Sequence, residues 1–155
     1  MELADILSEE SVLVCHSVKD KAELLEILGR HGAAITGHDE ATVLETLMAR
    51  EALGSTGLGN GIAIPHGKLA GLKGVVAAFV RLDDPIEFDS VDDQPVDIAF
   101  MLLAPAGAGA DHLKALARVA RLLRTDSLVE GLRATADPTR LYELLTTAIP
   151  SQNAA

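Results

Sequence analysis

Tryptophan is absent from this chain of 155 residues, and aromatic residues make up only 3% of it. Leu, Val, Ile and Ala must therefore fill the interior, and the rings on which nucleobases and sugars stack are scarce. Basic residues are in deficit too: 13 Lys plus Arg face 23 Asp plus Glu, a formal net charge of -10. A phosphate backbone or an anionic membrane selects the opposite sign, so nucleic acid and membrane partners are disfavoured. Cys15 is the only cysteine and cannot close an internal disulfide, which suits a reducing cytoplasm. No apolar run reaches the roughly 18 residues of a spanning helix. Met1-Glu2-Leu3-Ala4-Asp5 has no basic stretch of the kind that opens a secretory signal.

What is present is ordinary globular material, 48% hydrophobic and 23% charged. A chain of this length forms one domain and buries about two-thirds of its unfolded surface. There is no internal repeat. We expect one domain over residues 1–150 and a frayed tail of small and polar residues at 151–155.

The periodicity predicts helices at both ends and strands between them. A helix or turn is expected at Leu3 to Leu7 and an edge strand at Val12 to Cys15. Ser17 is read as the cap of a helix carrying Leu24, Leu25, Ile27, Leu28 and His31. Gly29 should weaken that helix, and Gly32 or Gly37 should end it. Asp39 caps a second helix with Val43, Leu44, Leu47 and Met48 on one face, and Arg50 near its end suits the helix dipole. Residues 54–61, GSTGLGNG, read as too glycine-rich for a regular element. A short strand, Ile62 to Ile64, stops at Pro65. Val75 to Leu82 and Val96 to Leu103 are buried strands, and Asp83-Asp84 and Asp89 to Asp97 form solvated acidic loops. Asp111 is expected to cap a long helix, Leu128 to Arg133 a short one, and Pro138 opens the last. The fold class is α/β.

The densest local signal is GSTGLGNGIAIPHGK, Gly54 to Lys68. Neither nucleotide motif fits it. Gly57, Gly59 and Gly61 make G-x-G-x-G with a strand-like segment after them, where the dinucleotide fingerprint needs G-x-G-x-x-G before a helix. The phosphate loop needs Ser or Thr after its Lys, and Leu69 follows Lys68. What remains is His66, stiffened by Pro65 and unshielded by Gly67. Taken alone, Pro-His-Gly is most simply a turn, Arg50 a helix-end cation and His112 an exposed residue at a helix start. His31 at a helix end, His38 before a cap and His16 beside a strand take the same plain readings. No His-x-x-x-His or Cys pair supplies metal-ligand spacing, so no metal and no cofactor are expected.

The longer pattern resembles a known family. GSTGLGNGIAIPHGK with Arg50-Glu51 before it, FDSVDDQPVDIAFMLLAP (Phe88 to Pro105) and Asp111-His112-Leu113 to Leu123 are similar to the type 2 EIIA domains of bacterial phosphoenolpyruvate-dependent phosphotransferase systems. These are the fructose, mannitol and nitrogen-regulatory EIIA proteins, and GNGIAIPHGK looks most like the nitrogen-regulatory branch. The likeness runs from about Leu3 to Ala148. It implies a single α/β domain, a mixed sheet flanked by helices as in the mannitol EIIA. It implies a phosphocarrier that takes a phosphoryl group on His66 from an HPr-like phosphohistidine protein and regulates partners by its phosphorylation state. The other readings are a sugar-specific EIIA passing phosphate to a cognate EIIB, and a ligand-sensing module without chemistry.

On that resemblance His66 is the phosphorylated residue, and Arg50 and His112 match the family's arginine and second histidine. His112 would stabilise the phosphate, and Arg50 would contact it or brace the loop. We expect Nδ1–H of His66 to donate to a backbone carbonyl, leaving Nε2 outward to attack. Ser55, Thr56, Gly57, Gly59, Gly61 and Gly67 are candidates for a phosphate-binding loop. The surface around His66 should carry a modest apolar patch for a transient partner.

Overall fold

A computed structural model of the chain describes residues 2–147. Two 3-10 turns (Leu3–Asp5 and Glu9–Ser11) lead into β1 (Val12–Cys15), α1 (Lys21–Thr36), α2 (Glu40–Ala52), β2 (Gly57–Gly59), β3 (Ile62–Ala63) and β4 (His66–Leu69). The chain continues through β5 (Val76–Ile86), β6 (Val96–Pro105), α3 (Gly109–Leu122), α4 (Asp126–Arg133) and α5 (Pro138–Thr147). The expected mixed sheet flanked by helices is what forms; the expected tail, 151–155, lies outside the described residues.

The long strands β5 and β6 pair antiparallel at the centre, with Phe79 opposite Phe100 and their rings edge to face at 6.1 Å. Side chains alternate across them. Phe79, Ile98, Phe100 and Leu102 pack toward α3, α4 and α5, while Val80, Ala99, Met101 and Leu103 pack toward α1 and α2. Burial on both faces explains why these strands read as unbroken apolar runs. β1 runs parallel to β5 at one edge. The far side of β6 is covered in two pieces, β3 beside Ile98 and Ala99 and β4 beside Leu102 to Pro105, both parallel to it. β2 then folds back antiparallel on β3.

Several boundaries differ from expectation. Asp20, not Ser17, caps α1 by accepting the Glu23 amide. α1 runs through Gly29 and Gly32 and ends at a left-handed Gly37, the second of the two glycines expected to stop it. A methyl at Gly29 would stand 3.2 Å from Leu44 Cβ, so this glycine lets α1 and α2 touch rather than loosening α1. The glycine-rich segment holds a strand, β2, because pairing with β3 fixes it. Asp83 and Asp84 belong to β5, which continues to Ile86. α3 starts two residues before Asp111, capped at Ala108 with no side-chain bond. His31 is mid-helix, its Nε2 2.9 Å from Ser11 Oγ.

Candidate functional site

The sequence Ile64-Pro65 interrupts what would otherwise be one strand. Proline has no N–H to give to a ladder, so β3 ends at Ala63 and β4 resumes at His66. Ile64 lies in the break, and its amide donates to the Thr56 carbonyl at 3.1 Å. Its own carbonyl is left to accept Nδ1–H of His66 at 2.8 Å. A carbonyl can only accept, so the proton sits on Nδ1 and Nε2 keeps its lone pair.

Gly67 sets the approach of α2. A methyl there would overlap Thr46 Cγ2, so only a glycine allows α2 to lie directly on β4. One turn beyond Thr46, Arg50 reaches His66: its Nε donates to Nε2 at 3.2 Å, while Nη1 donates to the Gly54 carbonyl at 2.8 Å. From the opposite layer comes His112, in the first turn of α3. The two imidazoles meet edge to face with centroids 5.4 Å apart. His112 is 5% exposed, and its buried Nε2 has no hydrogen-bond partner. Ala108 N–H donates to the Pro105 carbonyl at 3.1 Å and His112 N–H to the Ala108 carbonyl at 2.9 Å, so the amides of Gly109, Ala110 and Asp111 are those that a helix start leaves without an intrahelical acceptor.

Burial pushes the half-buried His66 imidazole below the ordinary histidine range. The Arg50 guanidinium adds to this; the Ile64 carbonyl and the Glu51 carboxylate oppose it. His112 is also lowered, first by burial, then by His66 and Lys68. Both rings are therefore neutral near pH 7, with nitrogen lone pairs available.

The structure thus brings His66, Arg50 and His112 together. It uses the loop residues otherwise. Ser55 Oγ donates to the Phe88 carbonyl at 2.9 Å, and the Thr56 hydroxyl is bonded to the Glu51 carboxylate; neither bonds His66. Gly57 lies against Ser90 and Gly59 near the Asp92 carboxylate. Gly61, at φ +81°, leaves room for Arg133, which bonds Asn60 O and pairs with Asp97 at 2.9 Å. These contacts shape the loop. His38 bonds the Ala70 carbonyl at 2.7 Å and His16 pairs with Asp83, both away from the site.

Residues 5–148 match the family model described as "Phosphoenolpyruvate-dependent sugar phosphotransferase system, EIIA 2". The chain belongs to that EIIA family. Among its relatives, a nitrogen regulatory protein of Bradyrhizobium diazoefficiens is 48% identical over 155 residues, covering 100% of both chains. The crystal structure of the nitrogen regulatory protein IIA-Ntr from Neisseria meningitidis superposes with a TM-score of 0.88 at 37% identity, covering 93% of this chain and 99% of that one. The mannitol IIA of Escherichia coli shares the fold, with a TM-score of 0.74 at 21% identity over 89% of this chain and 97% of that one. Among the described residues, no helix of this EIIA chain is long and apolar enough to cross a membrane.

Sequence reading missed two contributors. Thr46 needed the α2–β4 contact to become visible. Glu51 had a signal: Val43, Leu47 and Glu51 recur every four residues on the buried stripe of α2, a position where a carboxylate is unexpected.

Proposed function

We propose that this EIIA protein is a cytoplasmic phosphocarrier of the nitrogen-regulatory branch, taking a phosphoryl group onto Nε2 of His66 from an HPr-like phosphohistidine donor. One observation carries the reading most: His66 Nε2 is unprotonated and, among the described residues, accepts only from Arg50 Nε, and its ring meets that of His112, whose buried Nε2 has no partner. The first is a nucleophile. The second is a polar group whose burial without a partner costs about 1–3 kcal/mol until something bonds it, and a phosphoryl oxygen does so.

In the transfer step the Nε2 lone pair of His66 attacks phosphorus as the donor's N–P bond breaks. The bonding pair leaves with the donor imidazole. Arg50, now on Nε2, yields that nitrogen and turns its guanidinium to the phosphoryl oxygens. His112 donates to another oxygen, and the uncapped amides of α3 add their dipole end. Nδ1–H stays on the Ile64 carbonyl, which holds the ring in plane and stabilises the charge it acquires. Such chemistry rests on positioning and charge stabilisation more than on acid–base steps. The donor must reach the ring; Leu53, 84% exposed at the end of α2, and Leu113, 68% exposed beside His112, offer the apolar contact.

The test is incubation with phosphoenolpyruvate, enzyme I and the HPr-like donor. Acid-labile phosphate on the wild type and none on His66→Ala supports the reading; no label on either protein refutes it. Onward transfer to an EIIB cysteine would move the protein to the sugar-specific branch.

A further inference from the structure

Glu51 carries the remaining unexplained charge at the site. Its side chain is 5% exposed and pairs with Lys21 at 3.0 Å, and Lys21 Nζ lies 4.5 Å from the centre of the Phe88 ring. The carboxylate accepts the Thr56 amide at 3.1 Å and the Thr56 hydroxyl. Thr56 then passes its carbonyl to the Ile64 amide, and Ile64 passes its carbonyl to Nδ1–H of His66. The neighbouring Arg50 bonds the other ring nitrogen directly. The last turn of α2 therefore grips both nitrogens of the imidazole, one through a side chain and one through two segments of backbone.

We propose that Glu51 is a positioning residue for phosphoryl transfer, fixing the Nδ1–H tautomer and the ring plane of His66 through Thr56 and Ile64. The inference rests on the phosphocarrier reading for its kinetic part only. The ion pair by itself is weak evidence for a stabilising role: a buried pair exchanged for apolar side chains of similar volume is often neutral or stabilising, and a leucine at 51 would extend the stripe begun by Val43 and Leu47. What an apolar residue cannot do is hold Thr56.

The experiment compares wild type, Glu51→Gln and the double variant Lys21→Met/Glu51→Leu. It reads the His66 tautomer by long-range proton–nitrogen NMR on the unphosphorylated protein and the kinetics of phosphorylation by the HPr-like donor. Expected in the double variant are loss of the single Nδ1–H tautomer and a fall in kcat of roughly 10- to 100-fold, with KM for the donor little changed. Glu51→Gln, which keeps an acceptor oxygen but no charge, should lie between. A folded double variant with the wild-type tautomer and kcat overturns the proposal. If only Glu51→Gln folds, the same readouts on it decide: a wild-type tautomer and kcat overturn the proposal. If the donor labels no protein at all, the phosphocarrier reading fails, while the tautomer spectra still decide what Glu51 does.

Discussion

Two neighbouring imidazoles with different surroundings divide the work at the residue scale. His66 has Nδ1 tied to Ile64 and Nε2 facing Arg50; His112 has a buried Nε2 with nothing bound to it. His66→Ala should abolish acid-labile labelling while changing unfolding free energy by about 1 kcal/mol, because the ring is only half-buried. His112→Ala should slow transfer by about 10²-fold, the usual effect of deleting one donor to a developing anion, yet leave phosphate on His66. A folded His112→Ala protein that takes no label would contradict that role. Acid should act on both rings. His66 is faced by Arg50 from α2 and His112 from α3, with the Glu51 carboxylate behind, and burial lowers both imidazoles in the fold. The unfolded chain therefore binds protons first as pH falls. Stability is full at neutral pH and declines as pH falls through the unfolded histidine value of about 6.5, a trend that urea unfolding at a series of pH values will record. The slope should shrink in His66→Ala, and an unchanged slope would place the titration elsewhere.

At the scale of elements, the site depends on one close contact and one broken strand. Gly67 lets α2 rest on β4 through Thr46, and that contact delivers Arg50. Gly67→Ala should cost about 1–3 kcal/mol as an overpacking change and slow transfer. Thr46→Ser, which removes the obstructing methyl, should restore both in the double variant; failure of the rescue would mean that Gly67 acts through its backbone instead. The helices and the two central strands were legible because apolar spacing, the cap at Asp39 and the helix-opening Pro138 are local signals. β2 was not, since a GLG strand exists only by pairing with β3. The α3 start was misplaced because Ala108 caps without a side chain, leaving Asp111 as the only visible signal. His66 was singled out only by the longer pattern and the family it resembles, since Pro-His-Gly by itself reads as a turn. The pairing of Glu51 with Thr56, and of Thr46 with Gly67, depends on how α2 sits against the sheet, which no local pattern reports.

Across the whole molecule, two apolar layers clamp one sheet, and the layers meet at His66: α2 belongs to one and α3 to the other. The core and the chemistry are therefore separable. Phe100, fully buried in β6 against Phe79, packs in the layer of α3, α4 and α5. Phe100→Ala should lower stability by about 3–5 kcal/mol while the folded fraction is still labelled at His66, as denaturant melts paired with labelling will show. Phosphorylation would add about two negative charges to a chain already at -10, enough to change which partners dock between Leu53 and Leu113. The attachment atom tests the central claim most directly. Phosphorus–nitrogen NMR of the donor-phosphorylated protein should find phosphorus on Nε2 of His66, with the proton still on Nδ1. Phosphorus on Nδ1, or on any other residue, would contradict the geometry from which the function is argued.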